Sequence, residues 1–161
     1  MRTALSGVVP SATVEVVGCD DPELVGAVRR AAELAALDHR LEGAIVLALV
    51  SDEEIARLNL RHRGVERPTD VLTFPAPDAG GDIAIATGVL RRQAAQRGVA
   101  PTDEAAILAI HGVLHLAGYD DVEDGERAAM QIETKRLADA LGVPCEEEWT
   151  SLPEPNGEDV T

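Results

Sequence analysis

The chain has few aromatic residues, few cysteines and no long hydrophobic run, and each shortage excludes a class of protein. Its aromatic residues are Phe74, Tyr119 and Trp149, which argues against a broad platform for stacking bases. Two cysteines, Cys19 and Cys145, are too few for a disulfide framework. No run approaches the roughly 20 apolar residues that a membrane-spanning helix requires, and no signal peptide is visible. These features predict a cytoplasmic protein.

Basic residues are also scarce. The chain carries 14 lysines and arginines against 29 acidic residues, a formal charge of −15 at pH 7. Such a balance argues against binding nucleic acid or membranes through net charge alone. The charge is uneven, however, because residues 57–97 hold seven arginines and only four acidic residues. An anionic substrate could meet a locally basic surface there, although any one of these arginines could equally be a solvated surface residue.

The hydrophobic pattern predicts one α/β unit without repeats. A chain of 161 residues, 45% of them hydrophobic, is long enough to bury a continuous core. We expect a single domain over residues 1–144 and an acidic, flexible C-terminal tail over residues 145–161. The periodicity and the helix-capping signals predict strands at 13–17, 43–50, 71–74 and 82–86, and helices at 22–38, 52–61, 87–97, 103–117 and 124–141.

The strongest chemical signal is the pair His111 and His115. Residues four apart lie on one face of a helix about one turn apart, the spacing at which two imidazoles bind one metal ion. Gly118 follows as a helix terminator, so the chain can turn back and bring Asp120 or Asp121 towards the same ion. Three protein ligands and one open position are typical of catalytic zinc. The spacing therefore predicts a metal site of the hydrolase type.

One residue argues against a peptidase. Zinc peptidases with this histidine spacing have a glutamate directly after the first histidine, where it acts as the general base. Here that position is Gly112, so a metallopeptidase is disfavoured. The other alternative is that His111 and His115 only pack within a buried helix or cap it. The carboxylate at the right offset after Gly118 favours a metal site over that interpretation.

Residues 111–120 also carry a family resemblance. Their sequence, His-Gly-Val-Leu-His-Leu-Ala-Gly-Tyr-Asp, resembles the hallmark of the YbeY family of bacterial endoribonucleases. Upstream, residues 58–64 and 67–75 resemble the second signature of that family, and residues 81–83 and 91–94 follow in the expected order. The resemblance spans roughly residues 12–142, and the combination of blocks is highly specific.

The resemblance implies a fold, an activity and partners. The fold would be α+β: a single small mixed sheet of about four strands covered by about five helices, with the metal site on the helix that carries His111 and His115. The activity would be metal-dependent cleavage of single-stranded RNA, in maturation of the 3′ end of 16S ribosomal RNA and in ribosome quality control. The implied partners are single-stranded RNA, ribosomal RNA and the small ribosomal subunit, with no DNA and no membrane.

The chain departs from the family pattern at Asp121, where the family usually has a third histidine. A carboxylate oxygen can occupy the same corner of a tetrahedral site. We therefore expect one Zn2+ per chain on His111, His115 and Asp121. An anionic ligand lowers the net charge of the site, which would weaken the ion as a Lewis acid and could favour another, harder divalent metal. The alternatives are Asp120 or Asp124 as the third ligand, or a degenerate site.

Arg63 matches the functionally important arginine of the family, and the resemblance implies that it is catalytic together with His111. Its planar guanidinium could hold a phosphate through two hydrogen bonds, which a lysine could not reproduce. The alternative for Arg63 is a surface salt bridge. No side chain stands out as the general base. A non-catalytic, ribosome-associated RNA-binding factor is the main rival to the nuclease, because an altered third ligand could have abolished catalysis while RNA binding remained.

Overall fold

The computed structural model describes residues 11–151, which form a mixed α+β fold. The order and type of the elements confirm the predictions from the sequence, and the boundaries differ by one or two residues. No helix within the described range is long and apolar enough to cross a membrane. The elements are β1 (Thr13–Val17), α1 (Pro22–Asp38), β2 (Ala44–Val50), α2 (Asp52–Arg63), β3 (Val71–Pro75), β4 (Gly80–Ala86), α3 (Thr87–Arg97), α4 (Pro101–Leu116) and α5 (Asp124–Leu141).

Local capping explains where the first two helices begin. The Asp21 carboxylate accepts hydrogen bonds from two backbone N–H groups at the start of α1, at 3.1 and 3.4 Å. Ser51 and Glu54 form a reciprocal capping box at the start of α2, with distances of 3.1 and 3.0 Å, as the sequence predicts. Helix α2 ends at Gly64, whose φ is +76°. It therefore runs two residues further than predicted, and Arg63 is its last residue.

The four strands form one mixed sheet in the order β1-β2-β4-β3. Strands β1, β2 and β4 are parallel, whereas β3 pairs antiparallel with β4 through a short hairpin. The register places Val71 opposite Ile85 and Pro75 opposite Gly81. Strand β3 is an edge strand and ends at a proline, a residue that removes a donor from the ladder. The edge that β3 forms becomes one wall of the candidate site.

Helices cover the two faces of the sheet unequally. Every second residue of β2 (Ile45, Leu47 and Leu49) is buried in the larger core, which is completed by α1, α4 and α5. On β4, Ala84 and Ala86 face the other side and join a smaller cluster with α2 and β3. Fully burying a leucine or isoleucine stabilises the fold by about 1.5–3 kcal/mol, so most of the apolar stabilisation lies on the α1/α4/α5 side.

Helix α4 is the central element of the larger core. All its residues from Glu104 to Leu114 are buried, as expected of a helix enclosed by other elements. It packs on the sheet at Gly112, where an added Cβ would lie only 2.8 Å from Cγ2 of Ile83 on β4. A buried helix held this closely is a rigid support for the two histidines near its C-terminal end.

The chain beyond α5 returns to the domain. Helix α5 ends at Gly142, and the side chain of Trp149 is buried in the larger core, only 3% exposed. The Arg97 guanidinium donates to the backbone carbonyl of Thr150 at 2.8 Å. Residues 149–151 therefore pack against the domain, within the segment that the sequence predicted to be a flexible tail, because Trp149 has a large apolar surface to bury. Residues 152–161 lie outside the described residues, and there the flexible tail stays a prediction.

Candidate metal centre

The two histidines of the motif lie on the last turns of α4 and face each other. Their Nε2 atoms are 3.1 Å apart, and their ring planes are at 80° to one another. His111 is buried at 5% exposure, whereas His115 is half-buried. The helical spacing of four residues therefore brings two imidazole nitrogens to one point, as the sequence predicts.

Asp121 approaches the same point from the turn after α4. Gly118, with a φ of +104°, reverses the chain so that the Oδ2 atom of Asp121 lies 3.5 Å from Nε2 of His111 and 3.9 Å from Nε2 of His115. The neighbouring carboxylates are engaged elsewhere. Asp120 accepts from the backbone N–H of Asp121 at 2.7 Å, and Asp124 pairs with Arg127 at 2.9 Å.

The three side chains fit a tetrahedral zinc ion. Zinc bonds of about 2.0–2.1 Å to nitrogen and oxygen place neighbouring ligand atoms about 3.4 Å apart, and the three measured separations of 3.1, 3.5 and 3.9 Å surround this value. His115 Nδ1 donates to the backbone carbonyl of Tyr119 at 3.0 Å, which leaves the lone pair of its Nε2 free to bind an ion. His111, His115 and Asp121 could therefore hold a metal ion together.

The surroundings favour the protonation states that a metal requires. Burial lowers the pKa of His115, and the neighbouring His111 adds to this effect, so the imidazole of His115 stays neutral. The hydrogen bond with His111 and the two nearby imidazoles hold the pKa of Asp121 below its usual range, against the opposing effect of burial. Neutral imidazole and ionised carboxylate are the forms that bind divalent cations.

The turn that carries Asp121 is attached to helix α5 by Arg127. The Arg127 guanidinium donates to the backbone carbonyls of Asp121 and Val122 at 3.2 and 3.1 Å. It also pairs with Asp124 at 2.9 Å. Because two main-chain carbonyls are held, the path of the turn is fixed by the backbone as well as by Gly118.

The cluster lies in an open cleft of about 680 Å³. Arg63, at the end of α2, lines this cleft together with all three candidate ligands, so the structure brings the predicted site residues together. Sequence reasoning missed Arg67 and Ser151, which also line the cleft. Arg67 begins residues 67–75, the segment that resembles the second signature of the family. That resemblance could have identified it as a site residue. The cleft is lined by Arg63, Arg67, Thr69, Val71, Thr73, Pro75, His111, His115, Gly118, Tyr119, Asp120, Asp121, Val122 and Ser151.

Gly112 has a structural reason to be glycine. Any side chain at this position points into β4, since an added Cβ would lie 2.8 and 3.0 Å from two carbon atoms of Ile83. A glutamate at this position would have to displace the sheet. The residue after His111 therefore cannot supply the general base of a peptidase, which agrees with the interpretation of the sequence.

A second group with metal-binding atoms has another explanation. Asp38, His39 and Glu133 offer three ligand atoms close together. The Arg136 guanidinium, however, hydrogen-bonds both carboxylates, and His39 Nε2 is 2.9 Å from Glu133. An arginine that bridges two carboxylates already compensates their charge. This group is an ion-pair network that joins α1 to α5.

Two further residues near the site were not found from the sequence. Trp149 packs against the ring of His111, with 5.4 Å between ring centroids. The guanidinium of Arg97 lies 5.0 Å from the centroid of the Trp149 ring. A single tryptophan within an acidic, polar segment was the signal available, because a large apolar side chain seldom remains in water when a core is near.

The fold and the cleft define a small α+β protein with a candidate three-ligand metal centre beside two arginines. We compared the sequence with known protein families. The family profile described as Endoribonuclease YbeY matches residues 16–142. The chain belongs to this family.

Individual relatives agree over most of the chain. A protein named Endoribonuclease YbeY from Chloroflexus aurantiacus is 40% identical over 141 residues, covering 78% of this chain and 90% of the relative. Another of that name from Rhodopseudomonas palustris is 35% identical over 154 residues, covering 84% and 92%. The solution structure of TM1509 from Thermotoga maritima superposes with a TM-score of 0.62 at 30% identity, covering 81% of this chain and 90% of that one.

Proposed function

We propose that this chain is a metal-dependent endoribonuclease that cuts single-stranded RNA. One divalent cation, which we expect to be Zn2+, would be held by His111, His115 and Asp121. The observation that carries the proposal is the convergence of these three ligand atoms, none more than 3.9 Å from another, in a cleft that Arg63 also lines. Membership of an endoribonuclease family supports RNA as the substrate.

The roles of the residues follow from their chemistry. A divalent cation at this site would supply Lewis acidity, which stabilises the charge that develops on a phosphodiester during cleavage. Arg63 would hold the phosphate group through two parallel hydrogen bonds from its guanidinium. Its place at the exposed end of α2 leaves the guanidinium available to a substrate in the cleft. His111 and His115 would orient the cation from the rigid helix α4.

The charge distribution is compatible with selective rather than general RNA binding. The chain is acidic overall, with a formal charge of −15, so a polynucleotide would be repelled except near the arginines of the cleft. With few aromatic residues, recognition would depend on the backbone of an unpaired strand. By family resemblance the physiological substrate is the 3′ end of 16S ribosomal RNA on the small ribosomal subunit, in the cytoplasm.

A combined metal and cleavage experiment tests the proposal. We would measure bound metal by elemental analysis and cleavage of labelled single-stranded and duplex RNA, with and without chelator. The wild type should carry about one ion per chain and should cut the single strand only in the absence of chelator. Asp121→Ala should lose both the ion and the cleavage. Arg63→Lys should keep the ion but cut about 10–100-fold more slowly, because a bidentate charged contact is lost.

Three other outcomes would each contradict a different part of the proposal. Full metal occupancy in Asp121→Ala would remove Asp121 from the ligand set. Chelator-resistant RNA binding without cleavage would favour the non-catalytic RNA-binding factor. Cleavage of casein but not of RNA would overturn the substrate class.

A further inference from the structure

Helix α4 presents His111 to a residue that is far away in sequence. The His111 ring lies between two other rings: that of His115 at 4.7 Å and that of Trp149 at 5.4 Å, measured between centroids. The ring planes of His111 and Trp149 are inclined at 61°, an edge-to-face arrangement that is directional as well as apolar. Since α4 fixes only the backbone of His111, the direction of its imidazole depends on these two rings and on the Asp121 carboxylate, 3.5 Å from its Nε2 atom.

Trp149 is itself held firmly. The Arg97 guanidinium lies 5.0 Å from the centroid of the indole ring and donates to the Thr150 carbonyl at 2.8 Å and to Glu146 at 3.1 Å. It also pairs with the fully buried Glu104 of α4, at 3.2 Å. A single arginine thus binds the chain on both sides of Trp149 to the helix that carries the histidines.

A second attachment fixes the segment at the cleft. Ser151, which lines the cleft, donates from its hydroxyl to the buried carboxylate of Asp70 at 2.5 Å. The same carboxylate accepts from the backbone N–H of Val71 at 2.8 Å, at the start of β3. Residues 146–151 are therefore tied to α3, α4 and β3, and Trp149 lies in the middle of them.

We propose that Trp149, held in place by Arg97, is a positioning residue that orients the imidazole of His111 towards the metal ion. This inference rests on the proposed function in one respect, the presence of an ion at His111. Removal of a hydrogen-bond partner of a metal-binding histidine typically changes metal affinity by about 10–100-fold, and we expect the loss of this ring contact to fall at the lower end of that range. Trp149 would act through ring contact, so an aromatic replacement should preserve its effect and an aliphatic one should not.

Cobalt-substituted protein gives a readout that separates positioning from stability. The visible absorption of Co2+ reports the geometry of its ligands, and competition with a chromophoric chelator gives its affinity. Trp149→Leu should bind Co2+ about tenfold or more weakly with a changed spectrum, whereas Trp149→Phe should restore both towards the wild type. Leu24→Ala is the matched control, because Leu24 is buried in the same core but does not line the cleft. It should lower stability and leave the cobalt spectrum unchanged.

The tryptophan also reports on the ion directly. Trp149 is the one tryptophan of the chain, so quenching of its fluorescence by Co2+ shows that the ion binds close to it. Quenching should occur in the wild type and disappear in His111→Ala. If the wild type binds no metal, the proposed function fails. If it binds Co2+ and Trp149→Leu matches it in affinity and spectrum while remaining folded, the positioning role is overturned and the proposed function stands.

Discussion

The Nδ1 atom of His115 donates to the backbone carbonyl of Tyr119, 3.0 Å away, and this bond joins the end of α4 to the turn that carries Asp121. Because the acceptor is a main-chain oxygen, the bond depends on the path of the turn and hardly on the side chain at position 119. The same conformation at Gly118 that brings Asp121 to the cluster thus fixes the tautomer of His115. The turn at Gly118 therefore sets both the position of the Asp121 carboxylate and the tautomer in which His115 can bind a metal ion.

A strained turn should weaken metal binding without a side-chain contact being removed. Gly118 has a φ of +104°, and nothing lies within 4 Å of an added Cβ. In Gly118→Ala only backbone strain opposes the turn, at a cost of about 1–2 kcal/mol. We expect a lower affinity for Zn2+, measured by chelator competition, because Asp121 and the Tyr119 carbonyl shift together. Gly98→Ala is the control: φ is +73° with equally open space. It should lose similar stability and keep its affinity; an equal loss of affinity in both variants would refute the argument.

A methyl group at Gly112 should disturb the site by overpacking. An added Cβ lies 2.8 Å from Cγ2 of Ile83, so Gly112→Ala should cost about 1–3 kcal/mol of unfolding free energy and weaken metal binding by moving α4. Gly125→Ala, on α5 with nothing within 4 Å, should instead be neutral or stabilising by up to about 1 kcal/mol. In a double-mutant cycle, Ile83→Ala should recover part of the loss caused by Gly112→Ala. Simple additivity would show that the two residues do not collide.

The charge of the third ligand should set the strength of the metal centre. Asp121→His replaces an anionic oxygen by a neutral nitrogen and raises the net charge of the site by one, so the cation becomes a stronger Lewis acid. We expect the variant to retain metal and to show its pH–rate profile displaced to lower pH. Asp121→Asn, which removes the charge without supplying an imidazole, should bind metal more weakly than either. An unchanged pH–rate profile in a fully loaded Asp121→His protein would count against Asp121 as a ligand.

The ion-pair network between α1 and α5 should make stability depend on pH. Hydrogen bonds from Arg136 are the main cause that lowers the pKa of Asp38 and of Glu133 below the ordinary values of 3.8 and 4.5. A lowered carboxylate pKa stabilises the fold above the ordinary value, and that contribution is lost as the pH falls through the folded one. The side chains of Asp38 and Arg136 are 32% and 50% exposed, so solvent limits the effect to about 1 kcal/mol.

Arg136→Gln therefore tests this network. The difference in unfolding free energy between wild type and variant should be constant near neutral pH and should shrink as the pH falls below the two ordinary values. Chemical denaturation at a series of pH values measures it. Arg29→Gln, which removes an exposed cation of α1, serves as the comparison for a general charge effect. A difference that grew on acidification would contradict the assignment.

Much of the fold follows from local sequence. The continuous apolar run over residues 43–50 marks a buried strand, and the Ser51–Glu54 capping box marks a helix start. The pair His111 and His115 could be recognised as facing each other from helical geometry alone. In each case the controlling interactions lie within one turn or one strand, so neighbouring residues determine the outcome.

The rest depends on contacts between distant parts of the chain. Asp120 and Asp121 are indistinguishable as carboxylates, and the choice between them follows from the turn at Gly118 and from the bonds that Arg127 makes to its carbonyls. The burial of Trp149 depends on Arg97 and His111, which belong to other elements. The sequence predicted a loose tail from residue 145 because acidic residues and prolines outnumber the one large apolar side chain there.

The burial of α4 has a consequence for the exchange of metal. Because its residues from Glu104 to Leu114 are buried, we expect the amide hydrogens of this helix to exchange with solvent only through large openings of the domain, and His111 and His115 to stay in place while an ion binds. The turn with Asp121 is more exposed than α4. It is held by the bond from His115 to the Tyr119 carbonyl and by the bonds from Arg127 to the carbonyls of Asp121 and Val122. We expect the metal ion to enter and leave through movement of the turn that carries Asp121, at a rate far above that of unfolding. Arg127→Ala should accelerate metal release to a chelator while hydrogen exchange in α4 remains slow.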